Sequence, residues 1–255
     1  MTLTPDQPTV SGPSVAFPLM KGLKFNLARI DNIDWRYADS NLSVNQSLWQ
    51  QVANNGDANG VACIYHFGGN MSKFPQSIVN GLTADSFYPS FFQNTLSYTG
   101  FPIWAALFQG AFKPLVPAVG NHPATLGYGR FNEPNLGGAY ASNQQLHNYY
   151  QYITQRIRTI SQKIVTFQAT AGGGGGGPSG IVAISPSNSL NPIVFEAHDY
   201  QYGSGLCSGW TSGANQAGIT GAFWGEWRAG NATDMTTNIT QAKNCNVPMT
   251  YHAWD

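Results

Sequence analysis

Residues 125–135 read TLGYGRFNEPN, a run with the length and aromatic content of a β-strand, closed by Asn-Glu-Pro-Asn. The same form recurs at 219–227, ITGAFWGEW, where a second strand-like run ends on a glutamate. Glutamate is scarce in this chain: of twelve acidic residues only Glu133, Glu196 and Glu226 are Glu. Two of the three therefore close strand-like runs. The third, Glu196, lies inside PIVFEAH (192–198) and has the same parity as His198, so the two share one face of a strand.

Working outward, further strands are expected at Leu23–Ile30, Val61–His66, Lys163–Ala169 and Pro248–Trp254, beside Thr125–Asn132, Pro192–His198 and Ile219–Gly225. Gln46–Asn55, Ala84–Ser97, Leu146–Ser161 and Asp234–Lys243 read as helices between them. The third is the clearest, with His147, Tyr150, Ile153, Ile157 and Ile160 at helical spacing. Strands alternating with helices imply an α/β architecture with a parallel sheet. Seven legible strands in 255 residues predict a single (β/α)8 TIM barrel over 1–255. Its first strand is expected to be truncated or remodelled, because the opening 1–20 is Pro/Ser/Thr-rich and reads as irregular, with no apolar run beyond Val15–Leu19. In such a barrel chemistry sits where strands end, so Glu133 and Glu226 face each other across the mouth.

The composition narrows the function classes. Only 9% of residues are charged, and twelve basic residues cancel twelve acidic ones. A nucleic-acid partner, which needs a basic face, is not expected, and neither is a membrane, since no run of eighteen apolar residues occurs. The N-terminal residues lack the basic start and apolar stretch of a signal peptide. Secretion is nevertheless expected from the few charges, the many aromatics and amides, and five N-x-S/T sequons at Asn41, Asn45, Asn70, Asn231 and Asn238. Cys63, in an apolar run, reads as a buried thiol; Cys207 and Cys245 are the candidates for one disulfide. The glycines 172–177 formally contain GxGxxG, but no amphipathic helix is expected after them, so they read as a loop. Without CxxC, HExxH or GxSxG, no metal, no cofactor and no serine nucleophile are expected.

Six motifs occur in a telling order: Arg29 in NLARIDNIDW, His66 in CIYHFGGN, Asn132-Glu133-Pro134, His198-Asp199-Tyr200, Glu226 in GEW and Trp254 in YHAWD. Together they resemble the residues around the −1 sugar in the clan of retaining TIM-barrel glycosidases that includes the family 5 cellulases and mannanases. The stretches DWRYADSNL, IYHFGGN and HDYQYGSGLC look most like its fungal-type endoglucanase branch. The resemblance implies Glu133 as acid and Glu226 as nucleophile, with carboxyls roughly 5–5.5 Å apart. It implies that Arg29 keeps Glu226 ionised, that Asn132 holds a sugar 2-hydroxyl, and that Tyr200 donates to Glu226. His66 and His198 are expected to bind hydroxyls or carboxylates, Trp254 to stack on a pyranose, and Trp227 to line an outer subsite. The expected protein is a secreted monomer acting on a polysaccharide, as a retaining endo-β-1,4-glucanase. The alternatives are a β-mannanase or a non-catalytic carbohydrate-binding or cell-wall protein on the same scaffold.

Overall fold

The computed structural model describes residues 2–3, 12–33, 42–134, 140–169, 177–198, 206–226 and 232–250. Seven strands form one sheet: β1 (Thr2–Leu3), β2 (Leu27–Ile33), β3 (Ala62–Phe67), β4 (Thr125–Gly129), β5 (Ile164–Gln168), β6 (Ile193–His198) and β7 (Gly221–Glu226). They pair in chain order and all in parallel. Trp224 adds a parallel bridge to Met249, where an eighth strand would stand. The sheet is strongly curled. Arg29 on β2 touches Glu196 on β6, four strands away, at 2.5 Å, whereas four strand spacings in a flat sheet span about 19 Å. This is a (β/α)8-barrel architecture.

Helices α1 (Pro13–Gly22), α2 (Leu42–Asn59), α3 (Asn143–Arg158), α4 (Gly177–Ile184), α5 (Leu206–Ala217) and α6 (Ala232–Asn244) connect the strands, and shorter helical pieces fill 76–119. Period-two alternation decides what each strand shows to each side. Outward residues such as Ile30, Tyr65, Val165, Phe195 and Trp224 are buried in the core shared with the helices. Inward residues form layers. Ile64, Ile164, Val194 and Phe223 line an apolar base holding a cavity of about 380 Å³, and polar side chains fill the layers above.

α3 shows how local chemistry sets an element. Ser142 and Gln145 form a reciprocal capping box at its start, and Leu146, Tyr149, Tyr150, Ile153 and Ile157 bury one face. Arg156 and Arg158 sit in its last turn, where cations suit the helix dipole.

Several expectations are corrected. The opening is not irregular throughout: Pro13–Gly22 is helical, with proline in its first turn and Ala16, Phe17 and Met20 buried at helical spacing. The first strand, expected to be truncated or remodelled, is the two-residue Thr2–Leu3, paired to Arg29 and Ile30. The helix expected at Ala84–Ser97 stops at Phe92, and Asn94 takes φ +58°. Ser97–Tyr98 instead pairs with Phe101–Pro102 across Thr99-Gly100, both at positive φ as a tight hairpin requires. A helix, α4, does follow the glycine run. Of Pro248–Trp254 only the bridge at Met249 is seen, and 251–254 lie outside the described residues. Cys207 and Cys245 form the disulfide and Cys63 is a buried thiol. Asn238, one of the sequons, is buried in the fold.

Candidate active site

Six neighbouring strands, β2 to β7, deliver one polar cluster. Arg29, on β2, is wholly buried and engages every guanidinium nitrogen: Nε donates to Glu196 at 2.5 Å, Nη1 to Glu226 at 2.6 Å and to Asp31, and Nη2 to the Asn132 carbonyl. Burial works against its charge, but the carboxylates of Asp31, Glu196 and Glu226 outweigh that and drive its pKa up. Asp31 is pushed up to about 7, chiefly by burial, with Arg29 opposing.

Below the mouth, Glu196 accepts four donors. Its Oε1 takes Arg29 Nε and His198 Nε2 (3.1 Å); its Oε2 faces His66 Nε2 (2.9 Å) and takes Thr166 Oγ1 (3.1 Å). Burial alone would raise its pKa, yet His66, Arg29 and His198 hold it well below the usual carboxylate range. Two glycines make this polar layer possible. A Cβ at Gly129 would lie 2.1 Å from the His66 ring, and one at Gly225 would lie 2.2 Å from Glu196 Oε1. Burial pulls His66 down to about 4 against the opposing Glu196, so its imidazole is neutral.

At the mouth, His198 is a bridge. Its Nδ1 lies 2.9 Å from Glu133 Oε1 and 3.6 Å from Glu226 Oε2, while Nε2 faces Glu196. Burial would lower its pKa, but Glu226, Glu133 and Glu196 together raise it to about 9. One side-chain atom each from Glu133, His198 and Glu226 lies within 4.8 Å of the others. Such a trio has the donor set of a cation site. In this structure the His198 ring sets Nδ1 and Nε2 at hydrogen-bond distance from Glu133 and Glu196.

The backbone around Glu133 is unusual. Glu133 takes φ +45°, a left-handed conformation that a non-glycine residue rarely adopts. The turn is pinned on all sides: Asn132 N–H donates to Phe67 O at 3.1 Å and Glu133 N–H to Gln168 Oε1 at 2.7 Å. Before it, Phe131 packs on Phe91 and Phe92, with ring centroids 5.3 Å away in each case. Arg130 is buried between β5 and α3, donating to Thr166 O (2.9 Å) and Tyr150 O (2.7 Å) under the Tyr150 ring. Burial lowers its pKa to about 9.

Glu226 reaches the interior through a bulge. Alternation from inward Phe223 would turn residue 226 outward, but the β6–β7 register skips Gly225 and sets Glu226 opposite His198. The structure thus gathers Arg29, His66, Asn132, Glu133, His198 and Glu226 in one site, with His66 in its buried lower layer. Tyr200, Trp227 and Trp254 lie outside the described residues. Asp31, Thr166 and Gln168 are additions to the expected set, and Glu196 proves central to it. Their signal is polar residues at i and i+2 within apolar strands: Arg29/Asp31, Thr166/Gln168 and Glu196/His198.

No protein-family model matches the sequence, and no curated protein does. Solved structures do match the fold. An endoglucanase of Pseudomonas stutzeri superposes with a TM-score of 0.64 at 17% identity, over 93% of this chain and 76% of that one. A glycoside hydrolase family 5 enzyme of Prevotella bryantii B14 gives 0.68 at 12% identity, over 96% and 79%. A double mutant of an endo-β-1,4-mannanase from Cellulomonas fimi gives 0.65 at 15% identity, over 100% and 63%.

Proposed function

We propose that the chain is a retaining glycoside hydrolase of the endo-β-1,4-glucanase kind, with Glu226 as nucleophile and Glu133 as acid and then base. The observation that carries the reading is the approach of Glu133 and Glu226 at the ends of β4 and β7, with oxygens within 4.8 Å. Retaining enzymes hold their carboxyls about 5–5.5 Å apart, and inverting ones about 6.5–9.5 Å. Endoglucanases and a mannanase among the fold's neighbours support a polysaccharide substrate. A chain with 9% charged residues also suits an uncharged polymer, gripped by aromatics and amides.

Arg29 Nη1 donates to Glu226 Oε1 at 2.6 Å, which orients the carboxylate for attack on the anomeric carbon. Glu133 delivers a proton to the leaving oxygen as the glycosyl–Glu226 bond forms. In the second step Glu133 takes a proton from water, which displaces Glu226 and leaves the anomer retained. Asn132, whose carbonyl is taken by Arg29, offers its amide N–H to the sugar 2-hydroxyl. The Cys207–Cys245 disulfide supports an oxidising, extracellular setting.

The test assays wild type, Glu133→Ala and Glu226→Ala on carboxymethyl-cellulose, glucomannan and β-1,3-glucan. Wild-type turnover, lost by about 10³-fold or more in either variant, is expected. Equal activity in the three proteins overturns the assignment, and a first-formed product of inverted anomer overturns retention. Preference for glucomannan moves the substrate towards mannan.

A further inference from the structure

We propose that Glu196 is the positioning residue of this site: bound at once by Arg29, His66, Thr166 and His198, it keeps a proton on His198 Nε2 and sets Nδ1 to donate to Glu133 as that carboxyl loses and regains its proton. The proposal rests on the glycosidase reading and adds a positioning device to it.

The argument is one of donors and acceptors. An ionised carboxylate only accepts hydrogen bonds, so each group against it must donate. Arg29 always can. His198, whose Nε2 stands 3.1 Å from Glu196 Oε1, donates only if that nitrogen carries hydrogen, and the same holds for His66 at 2.9 Å. An ionised Glu196 therefore sets the tautomer of both rings. What is left variable on His198 is Nδ1, 2.9 Å from Glu133 Oε1. The charged groups facing His198 are Glu196 on its own strand, Glu133 from the β4 turn, Glu226 from β7 and, through the shared carboxylates, Arg29 from β2. Those facing Glu196 are Arg29, His66 and His198. The carboxylate fits here because residue 225 is glycine: a Cβ there would lie 2.2 Å from Glu196 Oε1.

The proton balance follows. As the glycosidic C–O bond breaks and Glu226 bonds the anomeric carbon, Glu133 gives its proton to the leaving oxygen, and the carboxylate so formed accepts a hydrogen bond from His198 Nδ1–H. His198 stays an imidazolium, held by Nε2–H on Glu196. In the second step Glu133 takes a proton from water as the hydroxyl displaces Glu226, which restores the starting state.

Long-range proton–nitrogen spectra of the full chain with labelled histidine test this, together with pH profiles of wild type and Glu196→Gln. In wild type, His198 keeps Nε2–H across the titration and only Nδ1 loses its proton. In Glu196→Gln the His198 midpoint falls on the order of one unit or more, the size of an adjacent charge's effect. The alkaline limb of kcat moves with it, and kcat falls about 10²-fold with KM nearly unchanged. A wild-type neutral His198 carrying its proton on Nδ1 overturns the proposal without any variant, so it stays testable if Glu196→Gln does not fold. An unchanged His198 midpoint and pH profile in folded Glu196→Gln overturns it as well. A wild type that hydrolyses none of the polysaccharides removes the glycosidase reading instead, while the spectra still decide the tautomer.

Discussion

Glu133 holds its left-handed backbone because Gln168 accepts its amide hydrogen. Such a conformation in a non-glycine residue stores about 1–3 kcal/mol and persists only where neighbours over-determine it. Gln168→Ala removes that acceptor. We expect a loss of about 1–3 kcal/mol in stability, from the unsatisfied amide, and a fall in kcat of up to about 10²-fold, from misplacement of Glu133. Urea unfolding and steady-state kinetics measure the two; unchanged kcat with lowered stability would make Gln168 a purely structural residue. At this scale the sequence announces Arg29, Glu133 and Glu226, because a buried arginine and strand-end glutamates are rare enough to stand out. It marks Gln168 only as half of the polar pair Thr166/Gln168, and is silent on its role, which depends on a neighbouring strand.

Among the elements, the strands are the most legible, since each is a short apolar run bounded by turn residues. α4 and α5 are the least. GPSGIVAI and LCSGWTSGANQA carry four glycines between them and have poor helix propensity. Their packing explains the composition. A Cβ at Gly213 would sit 2.7 Å from Ile181 Cδ1 and 3.1 Å from Pro178 Cα, so the glycine lets the two helices close up. Gly213→Val is expected to destabilise by about 1–3 kcal/mol through overpacking, read from the urea midpoint; an unchanged midpoint would show that the helices separate freely. The disulfide ties the start of α5 to the residue after α6, across a separation of 38 residues. Replacing both cysteines by serine should lower stability by about 2–4 kcal/mol on the loop-entropy model. Equal unfolding curves with and without reductant would refute that.

Across the whole molecule, the buried cluster links folding to pH. His198 has its pKa raised from 6.5 to about 9 in the fold, so its contribution is complete below pH 6.5 and lost as pH rises through 9. Asp31, raised to about 7, likewise favours the fold at low pH and loses that contribution as pH climbs through 7. His66 runs the other way: lowered to about 4, it favours the fold above pH 6.5, and that contribution is lost as pH falls through 4. On the acid side His66 and Asp31 offset each other, whereas on the alkaline side Asp31 and His198 act together. The thermal midpoint should therefore fall between pH 6.5 and 9; a flat profile there would mean that His198 is not held protonated. The sequence by itself determined the alternation of strands and helices, the polar i, i+2 pairs inside apolar strands, and the placement of Glu133 and Glu226 at strand ends, because these depend only on local periodicity and residue chemistry. The tertiary structure alone decided that Glu226 turns inward, through a register skip at Gly225, and that Glu196 sits beneath the pair rather than apart from it. Both depend on which strands become neighbours when the sheet curls, and curling places side chains from residues 29, 196 and 226 within hydrogen-bond reach.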